Sequence, residues 1–305
     1  MVGLISTDAR SAAVQDRVRR TVALLARRGY ALGAERLAGL CIGGAISVRE
    51  VRWTVAADPD LVIADDLVLS RAELGRAGQI RSRARDHGTD AGAYLEMTAR
   101  FVRALVAMAP FIRSVSIAGS LASGGFRASD DVDLNLIVDD GHRHLAYVAV
   151  NLLGLAHALA HRAKPVDDLT RRPLAPRLMT ANLILERSQC LPLDRQDEDM
   201  AFELLMAEPL FGIDPINELI EANPVLLDFF PQLEDKAAHL LIEPPTRRLP
   251  AALFPNFLDG AARAIGESAW RYMQWTRRHH PDALERVRYV RSTMHPYALF
   301  DRSSG

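Results

Sequence analysis

The stretch AGSLASGGFRASDDVDLNLIV, residues 118–138, decides how this chain folds. The apolar segment before it ends at Gly119 and Ser120, a glycine-rich passage follows, and Asp131 and Asp133 then open a second apolar segment. Because the side chains of a strand alternate between its two faces, the two aspartates are predicted to point the same way. Two carboxylates held side by side repel each other unless a cation lies between them. The stretch therefore predicts a metal site at the entrance to a buried strand.

Three features of this stretch predict a site for a metal-bound nucleoside triphosphate. Gly119 permits a sharp backbone turn that comes close to a ligand. Ser120 and the amides after it open a short turn, where N–H groups favour phosphate oxygens. Asp131 and Asp133 supply hard oxygen ligands for Mg²⁺ or Mn²⁺, and Mg²⁺ usually takes one or two carboxylates together with substrate phosphates. Asp130 has the opposite parity and is predicted to face away.

The passage resembles the signature of the DNA polymerase β-like nucleotidyltransferase superfamily. That signature is a Gly-Ser turn, a short linker, and Asp-apolar-Asp-apolar on the next strand; here ten residues separate Ser120 from the sequence DVDL, residues 131–134. The resemblance implies that Gly119, Ser120 and neighbouring amides bind the nucleotide. It also implies that Asp131 and Asp133 are catalytic residues that bind Mg²⁺ or Mn²⁺.

One part of the superfamily's pattern is missing. Its members commonly carry a third carboxylate on a neighbouring strand, where it helps to deprotonate the acceptor hydroxyl. The corresponding strand here is predicted at LMTANLIL, residues 178–185, where Asn182 takes the central position and cannot act as a base. Thr180, Ile184 and Glu186 are predicted to share its face, and Glu186 would lie roughly 13 Å farther along an ideal strand.

The resemblance implies an enzyme that transfers a nucleoside monophosphate from an NTP to an acceptor and releases pyrophosphate. The acceptor is left open among small molecules, RNA and protein. Two alternatives remain: a nucleotidyltransferase-like regulatory or binding protein that has lost catalysis, and a nucleotide-sugar glycosyltransferase, which also uses Asp-x-Asp with a divalent metal. A glycosyltransferase would normally place several βα units before the motif, whereas this chain has predicted helices and a hairpin there.

The N-terminal part of the chain predicts three helices followed by a β-hairpin. Apolar residues at helical spacing predict the first helix over about 11–28, and residues 33–43 predict a second. Ser47 and Glu50 have capping-box spacing, which predicts the start of the third. Residues 58–70 contain two apolar runs around Ala-Asp-Asp, a pattern typical of a hairpin. This order is that of a winged helix, and an unrelated small helical subdomain is the alternative.

The third of these helices is not expected to bind DNA strongly. Its cations are Arg49 and Arg52, opposed by Glu50. Few phosphate contacts give weak binding with a shallow dependence on salt. We therefore expect this segment to be structural or protein-binding.

The predicted fold class is an α/β (α+β) nucleotidyltransferase core with a small mixed sheet. The predicted elements of the core are helices at about 91–108 and 142–161 and strands at 112–118 and 132–138. Before them, Ser70 and Glu73 have capping-box spacing and predict another helix start. The predicted domains are a winged-helix-like region, the core and a mostly helical C-terminal region, over residues 1–87, 88–210 and 211–305.

Composition places the chain among ordinary soluble proteins. The 305 residues are 49% hydrophobic and 25% charged, with a net charge of −1, so no basic field indicates nucleic acid or a membrane surface. The two cysteines lie far apart and do not form a metal-binding pair, which is typical of a reducing compartment. The N-terminus lacks the apolar segment of a secretion signal, and residues 144–162 are predicted as a buried helix rather than a membrane span. We expect a cytoplasmic protein.

Two further groups of residues have a chemical and a structural interpretation. His157 and His161 have the i, i+4 spacing of paired metal ligands, but no third ligand accompanies them in a recognisable motif. Four aromatic residues near the C-terminus could stack a base, but helical spacing favours packing in the core. They are Trp270, Tyr272, Trp275 and Tyr289.

Overall fold

The computed structural model describes residues 7–161, 178–277 and 295–300, together with positions 281, 284, 285, 288 and 292. It is a mixed α/β protein in which helices predominate and the strands form two small sheets. Among the described residues, no helix combines the length and the apolar content needed to cross a membrane. The chain divides into two compact units, each built from three segments. The first unit comprises 1–86, 196–205 and 224–236, and the second comprises 87–195, 206–223 and 237–305.

The bounds of the elements are as follows. The helices are α1 (Thr7–Arg27), α2 (Ala34–Gly39), α3 (Val48–Ala57), α4 (Ala77–Met108), α5 (Gly119–Ser123), α6 (Arg143–Ala160), α7 (Arg187–Cys190), α8 (Glu198–Met206), α9 (Asp214–Ala222), α10 (Val225–Phe229) and α11 (Phe257–Arg277). The strands are β1 (Leu61–Ala64), β2 (Leu67–Ser70), β3 (Ile112–Ala118), β4 (Val132–Val138), β5 (Met179–Glu186) and β6 (Glu208–Phe211). Short 3-10 helices lie at Arg71–Arg76, Pro231–Leu233 and Ala251–Leu253.

The second unit is built on a four-stranded mixed sheet with the order β5-β4-β3-β6. Strand β3 is antiparallel to both β4 and β6, whereas β4 and β5 are parallel. The bounds of β3 and β4 confirm the strands predicted at 112–118 and 132–138. The parallel pair needs a long crossover, and α6 lies between β4 and β5 in the chain. Because β3 and β4 are antiparallel neighbours, the end of β3 lies beside the start of β4.

The two faces of this sheet differ in chemistry. One face is apolar and shares a single core with α4 and α6. Its members include Val115, Ile117, Val132, Leu134, Leu136 and Ile184, packed with Phe101, Leu105 and Val150. The register places Ser116, Asp133, Asn135 and Thr180 on the opposite face. Asp133, one of the two predicted metal ligands, thus lies on the polar face of the sheet.

Helix α11 is joined to the start of α6 by one carboxylate. Oδ1 of Asp259 accepts hydrogen bonds from the backbone N–H groups of His144 and Leu145, both at 2.8 Å, and Oδ2 lies 2.7 Å from Nδ1 of His144. Such an acceptor satisfies N–H groups that the first turn of a helix leaves without a helical partner.

Helix α6 covers most of the segment that the sequence predicts as a buried helix. It buries one side in the core and exposes Leu152 and Leu155 on the other.

The prediction that the C-terminal aromatic residues pack in the core is wrong for two of them. Tyr272 and Trp275 are 52% and 57% exposed, and their rings stack with centroids 6.1 Å apart. Helix α11 buries only a narrow stripe that includes Ala262, so most of its surface faces solvent. Trp270 is partly buried, with its ring 6.5 Å from that of Phe300. The predicted Tyr289 lies outside the described residues.

The first unit contains the three helices and the hairpin predicted from its sequence. Ser47 and Glu50 form a capping box at the start of α3, because the Ser47 side chain accepts from Glu50 N at 3.2 Å and Ser47 N donates to Glu50 Oε2 at 2.8 Å. Strands β1 and β2 are joined by Asp65 and Asp66, which have φ of 50° and 63°. Two consecutive positive φ values are those of a type I′ turn, which matches the twist of a hairpin.

The prediction of a capping box at Ser70 is wrong, although a short helix does begin there. Ser70 makes no side-chain capping bond, and the residues after it form a 3-10 helix. The α-helix begins only at Ala77 and continues without a break to Met108, so it includes the helix predicted over 91–108. Ser70 is also the last residue of β2, and the chain passes from this strand directly into the 3-10 helix.

A buried carboxylate ties α1 to the end of α3. Asp58 is 2% exposed, accepts a hydrogen bond from Nε of Arg19 on α1, and accepts another from its neighbour Asp60 N at 3.0 Å. The hydrogen bond from Arg19 lowers the pKa of the Asp58 carboxyl and outweighs the opposing effect of burial. The ionised form of Asp58 is therefore more stable in the folded chain than in the unfolded chain.

We predict that Asp58 makes the stability of the first unit sensitive to acid. A carboxyl whose pKa is lowered by folding contributes stability above its unfolded pKa, about 3.9, and this contribution is lost as the pH falls through the lower folded value. Replacing Asp58 with Asn should therefore destabilise the protein most at neutral pH, and the difference from wild type should shrink below about pH 4. Urea unfolding at a series of pH values measures this difference.

Asp235→Asn is the matched control, because Asp235 is an exposed residue of the same unit. Its effect should stay within about 0.5 kcal/mol at every pH. A difference between wild type and Asp58→Asn that does not change between pH 7 and pH 3 would contradict the assignment.

Candidate functional site

The candidate site begins where β3 ends. The chain leaves β3 at Ala118 and enters the single turn of α5 through Gly119, which has φ of 61°. The turn closes at Gly124, which has φ of 91° and donates its N–H to Ser120 O at 3.2 Å. Left-handed backbone of this kind favours glycine, since a side chain would be strained there. The Gly-Ser turn predicted from the sequence is thus present, with glycine at both of its ends.

Asp133 lies directly against this turn. It pairs with Ala118 across the antiparallel β3–β4 ladder and with Thr180 across the parallel β4–β5 ladder. Its Oδ1 accepts a hydrogen bond from Thr180 Oγ1 at 2.8 Å. A Cβ at position 119 would overlap its Oδ2 and would lie 3.0 Å from its Cγ. The absence of a side chain at Gly119 therefore makes room for the Asp133 carboxylate, and the two sequence motifs meet in space.

Asp131 lies two residues before Asp133, just outside β4. The residue between them, Val132, is fully buried on the apolar face and donates its N–H to Leu178 O at 2.9 Å. Asp131 and Asp133 are both partly buried, so each carboxylate has some access to solvent. Asp131 and Asp133 thus lie at the entrance of one strand, where the sequence predicts a pair of hard oxygen donors.

Asp130 does not face away, so that prediction is wrong. Its Oδ2 accepts a hydrogen bond from the Ser120 hydroxyl and another from Arg127 N, both at 3.2 Å. Strand β4 begins only at Val132, so the alternation of a strand does not apply at residue 130. Asp130 instead closes the linker against the Gly-Ser turn. The hydroxyl of Ser120 is therefore engaged by a carboxylate in this structure.

The linker between the two motifs is fastened to α4. Its Phe126 is fully buried, with a ring centroid 4.7 Å from that of Tyr94. The Tyr94 hydroxyl donates to Ala128 O at 3.0 Å, and Asp90 Oδ2 accepts from Ala128 N at 3.2 Å. Burial raises the pKa of the Tyr94 phenol, and the nearby Asp90 raises it further. A third contact joins Phe126 N to His87 Nδ1 at 3.4 Å.

These anchoring residues are not among those predicted from the sequence. His87, Asp90 and Tyr94 lie at i, i+3 and i+7 on α4, so they share one face of the helix. That spacing was visible in the sequence, but nothing local connects it with a loop more than thirty residues later. The contacts explain how a glycine-rich linker can hold a fixed path: its backbone groups bond to side chains of a long helix.

Asn182 lies on the polar face of the sheet, but a bulge changes its neighbours. The β4–β5 register shifts between Leu134 and Asn135, and the extra residue on β5 is Asn182. Its Nδ2 donates to Asn135 Oδ1 at 3.0 Å. A bulge reverses the alternation beyond it, so Ile184 pairs with Leu136 on the apolar face. The prediction that Thr180, Asn182, Ile184 and Glu186 share one face is therefore wrong for the last two.

Glu186 is engaged at the far end of β5. Its Oε1 accepts a hydrogen bond from Gly141 N at 3.0 Å, and it forms a reciprocal capping pair with Gln189 at the start of α7. Its register partner is Val138, at the opposite end of β4 from Asp133. These contacts give Glu186 a structural role and agree with the expectation that it lies far from the aspartate pair.

The described residues contain no group of three or more His, Cys, Asp or Glu side chains arranged to hold a metal ion. The two histidines with the spacing of paired metal ligands each contact a carbonyl one helical turn earlier. His157 Nδ1 lies 3.1 Å from Leu153 O, and His161 Nδ1 lies 2.9 Å from His157 O.

Comparison with protein-family models, with curated proteins and with solved structures finds no match to the chain. The site must therefore be interpreted from its own chemistry.

We predict that Gly119→Ala destabilises the protein by about 1–3 kcal/mol, because a methyl group there would be strained and would displace the Asp133 carboxylate. Thermal and urea unfolding measure the change. Gly92→Ala is the control, because position 92 lies on α4 with no atom within 4 Å of an added Cβ. That substitution should stabilise the helix by about 0.5–1 kcal/mol. Equal stability of Gly119→Ala and wild type would show that the turn does not require glycine.

Proposed function

We propose that the chain is a metal-dependent nucleotidyltransferase that moves a nucleoside monophosphate from an NTP to an acceptor and releases pyrophosphate. One observation carries the proposal: the Asp133 carboxylate packs against Gly119 at the Gly-Ser turn, and Asp131 lies at the same strand entrance. The two halves of the motif are therefore neighbours in space. A phosphate-binding turn beside a pair of carboxylates is an arrangement suited to a metal-bound triphosphate.

The topology around the site supports the proposal. The turn follows β3, the aspartates open the antiparallel β4, and the strand expected to carry a third carboxylate is β5, parallel to β4.

In the first unit, the segment between α1 and α2 forms a bridge from Leu32 to Val68 on the second hairpin strand. A three-stranded arrangement of that kind, with three helices, supports the proposal of an N-terminal winged helix.

The donor set at the site fits Mg²⁺ or Mn²⁺. Two carboxylates are enough, since Mg²⁺ is usually bound by one or two carboxylates together with substrate phosphates. The space that a Cβ at Gly119 would fill is taken by the Asp133 carboxylate, which brings this donor directly to the turn. Asp131 and Asp133 would hold the metal, which when bound supplies charge neutralisation for the phosphates and the attacking oxygen.

The remaining roles fall to groups of the turn and the linker. Ser120 would bind a phosphate oxygen, and to do so its hydroxyl must exchange its present acceptor, Asp130, for that oxygen. The anchors on α4 hold the linker in place, so Asp131 is delivered from a fixed direction. Phosphoryl transfer depends chiefly on positioning and charge neutralisation, which is what a rigid turn and a fixed pair of carboxylates provide.

A second candidate is a nucleotidyltransferase-like binding protein without catalysis. It is favoured by the residues of β5 on the polar face, since Thr180 lies opposite Asp133 and Asn182 bonds to Asn135. Neither side chain can act as a general base at neutral pH. The intact aspartate pair favours the active enzyme. An assay for pyrophosphate and labelled product, with each labelled NTP and Mg²⁺ or Mn²⁺, distinguishes the two candidates.

We predict that Asp131→Asn and Asp133→Asn each weaken divalent-dependent NTP binding by at least about tenfold, since each removes one of two anionic ligands. The fold should survive, because the amide oxygen that Asp133→Asn introduces could still accept the hydrogen bond from Thr180. Calorimetric titration with MgATP measures the loss, and unfolding curves check the fold.

Glu96→Gln is the matched control, since Glu96 is an exposed carboxylate of α4 in the same unit, with its side chain 80% exposed. Asp130→Asn would be a poor control because Asp130 bonds to Ser120. Unchanged MgATP affinity in both aspartate variants would rule out this site.

We predict that the acceptor oxygen is already ionised, as in a phosphate or a carboxylate. An alkyl hydroxyl needs a base within reach of its proton, and such a base contributes about 10²–10⁴-fold to the rate. Wild-type transfer to phosphate or carboxylate acceptors should therefore exceed transfer to matched hydroxyl acceptors by at least about 100-fold. Paired acceptors, compared by release of pyrophosphate, measure this preference.

Asn182→Asp tests the same point from the protein side. The variant should fold, because the Asn135 amide can turn and donate to the new carboxylate. If the enzyme uses ionised acceptors, the substitution should change the rate of transfer little. If catalysis was lost at this position, the substitution should restore slow transfer to hydroxyl acceptors. Efficient wild-type transfer to a plain hydroxyl, with Glu186→Gln harmless, would show that another base is present.

A further inference from the structure

Asp133 is held by contacts on both of its carboxylate oxygens. Its Oδ1 accepts the hydroxyl of Thr180 at 2.8 Å, and its Oδ2 packs against the backbone of Gly119. Gly119 only leaves space, so it limits where the carboxylate can go without directing it. The hydrogen bond from Thr180 is directional, and it fixes the rotation of the carboxylate about its own axis. The two contacts together select one orientation of Asp133.

We propose that Thr180 is a positioning residue for Asp133, and that its hydroxyl orients this carboxylate toward a divalent cation. The inference rests on the proposed function, since it assigns Asp133 to a metal. Thr180 occupies the place directly opposite Asp133 in the parallel ladder, on the strand where the proposed enzyme class would otherwise carry a third acid. A hydroxyl there donates a hydrogen bond to Asp133, which a third carboxylate could not do when ionised.

The chemistry of metal sites gives the expected size of the effect. A carboxylate that binds a metal is in turn hydrogen-bonded, and removing such a partner typically lowers metal affinity 10–100-fold. The hydroxyl of Thr180 engages one oxygen and leaves the rest of the carboxylate's acceptor capacity for a cation. Thr180 itself does not touch the metal in this proposal, so it acts only through Asp133.

The bulge at Asn182 does not disturb this arrangement. Before the bulge, Thr180 pairs with Asp133; after it, Leu183 pairs with Asn135. Thr180 and Asn182 both lie on the polar face, where each bonds to a polar side chain of β4, at 2.8 Å and 3.0 Å respectively. The bulge lies after Thr180, so it leaves the pairing of Thr180 with Asp133 intact and changes only the partners of the residues beyond it.

The test compares Thr180→Val, which keeps the shape of the side chain but removes the hydroxyl, with Thr180→Ser, which keeps the donor. Binding of Mn²⁺ alone is measured from the electron paramagnetic resonance signal of the free ion, and binding of MgATP by calorimetry. Thr180→Val should weaken Mn²⁺ binding by about 10–100-fold, whereas Thr180→Ser should stay within about threefold of wild type. Thermal unfolding of both variants is measured in parallel.

Ser114→Ala is the control, because it removes a buried hydrogen bond of the same sheet, Ser114 Oγ to Phe211 O at 3.2 Å, without touching Asp133. If Thr180 had only a structural role, Thr180→Val would lower the melting temperature, as Ser114→Ala does, without lowering the affinity for Mn²⁺. If Thr180→Val fails to fold, Thr180→Ala takes its place.

The outcomes separate the two proposals. If the wild-type protein binds Mn²⁺ and MgATP, and Thr180→Val and Thr180→Ala bind them equally well, Thr180 has no positioning role. The proposed function then still stands. Wild-type protein that binds neither Mn²⁺ nor MgATP overturns the proposed function and the role of Thr180 together. Loss of Mn²⁺ affinity in Thr180→Val, with recovery in Thr180→Ser and an unchanged control, supports the positioning role.

Discussion

The contact between the Asp133 carboxylate and the backbone of Gly119 is the constraint on which the second unit depends. Strands β3 and β4 are antiparallel, and their register sets Ala118 opposite Asp133. The chain must therefore leave β3 directly beneath a carboxylate, and a residue with a Cβ would overlap it. Glycine meets this requirement and also adopts φ of 61° without strain. The tight turn and the entrance to β4 meet at this one crowded point.

The linker illustrates how a flexible composition becomes a fixed structure. Glycine-rich segments lose much conformational entropy on folding, so their order must come from contacts elsewhere. Here the contacts come from α4, which continues unbroken from Ala77 to Met108. Phe126 adds buried apolar area. Tyr94 donates to the carbonyl of Ala128, and Asp90 accepts from its N–H, so both backbone groups of Ala128 are bonded. The long helix thus serves as a template for the loop that carries the aspartates.

The two faces of the sheet show how one element can serve both stability and chemistry. The apolar face supplies the core with α4 and α6, and this burial is the main source of stability. The polar face carries groups that would be costly to bury alone, and they are paired: Thr180 with Asp133, and Asn182 with Asn135. Pairing keeps these side chains in fixed positions.

Local sequence determined the elements: the bounds of β3 and β4, the capping box at Ser47 and the hairpin around Asp65 all follow from alternation, spacing and turn chemistry between near neighbours. The tertiary structure alone decided what meets what. The bulge at Asn182 placed Ile184 on the apolar face, the late start of β4 turned Asp130 toward Ser120, and the parallel register set Thr180 against Asp133. These outcomes depend on the pairing of residues far apart in the chain, and a shift of one residue in that pairing reverses every side chain beyond it, so no local pattern encodes them.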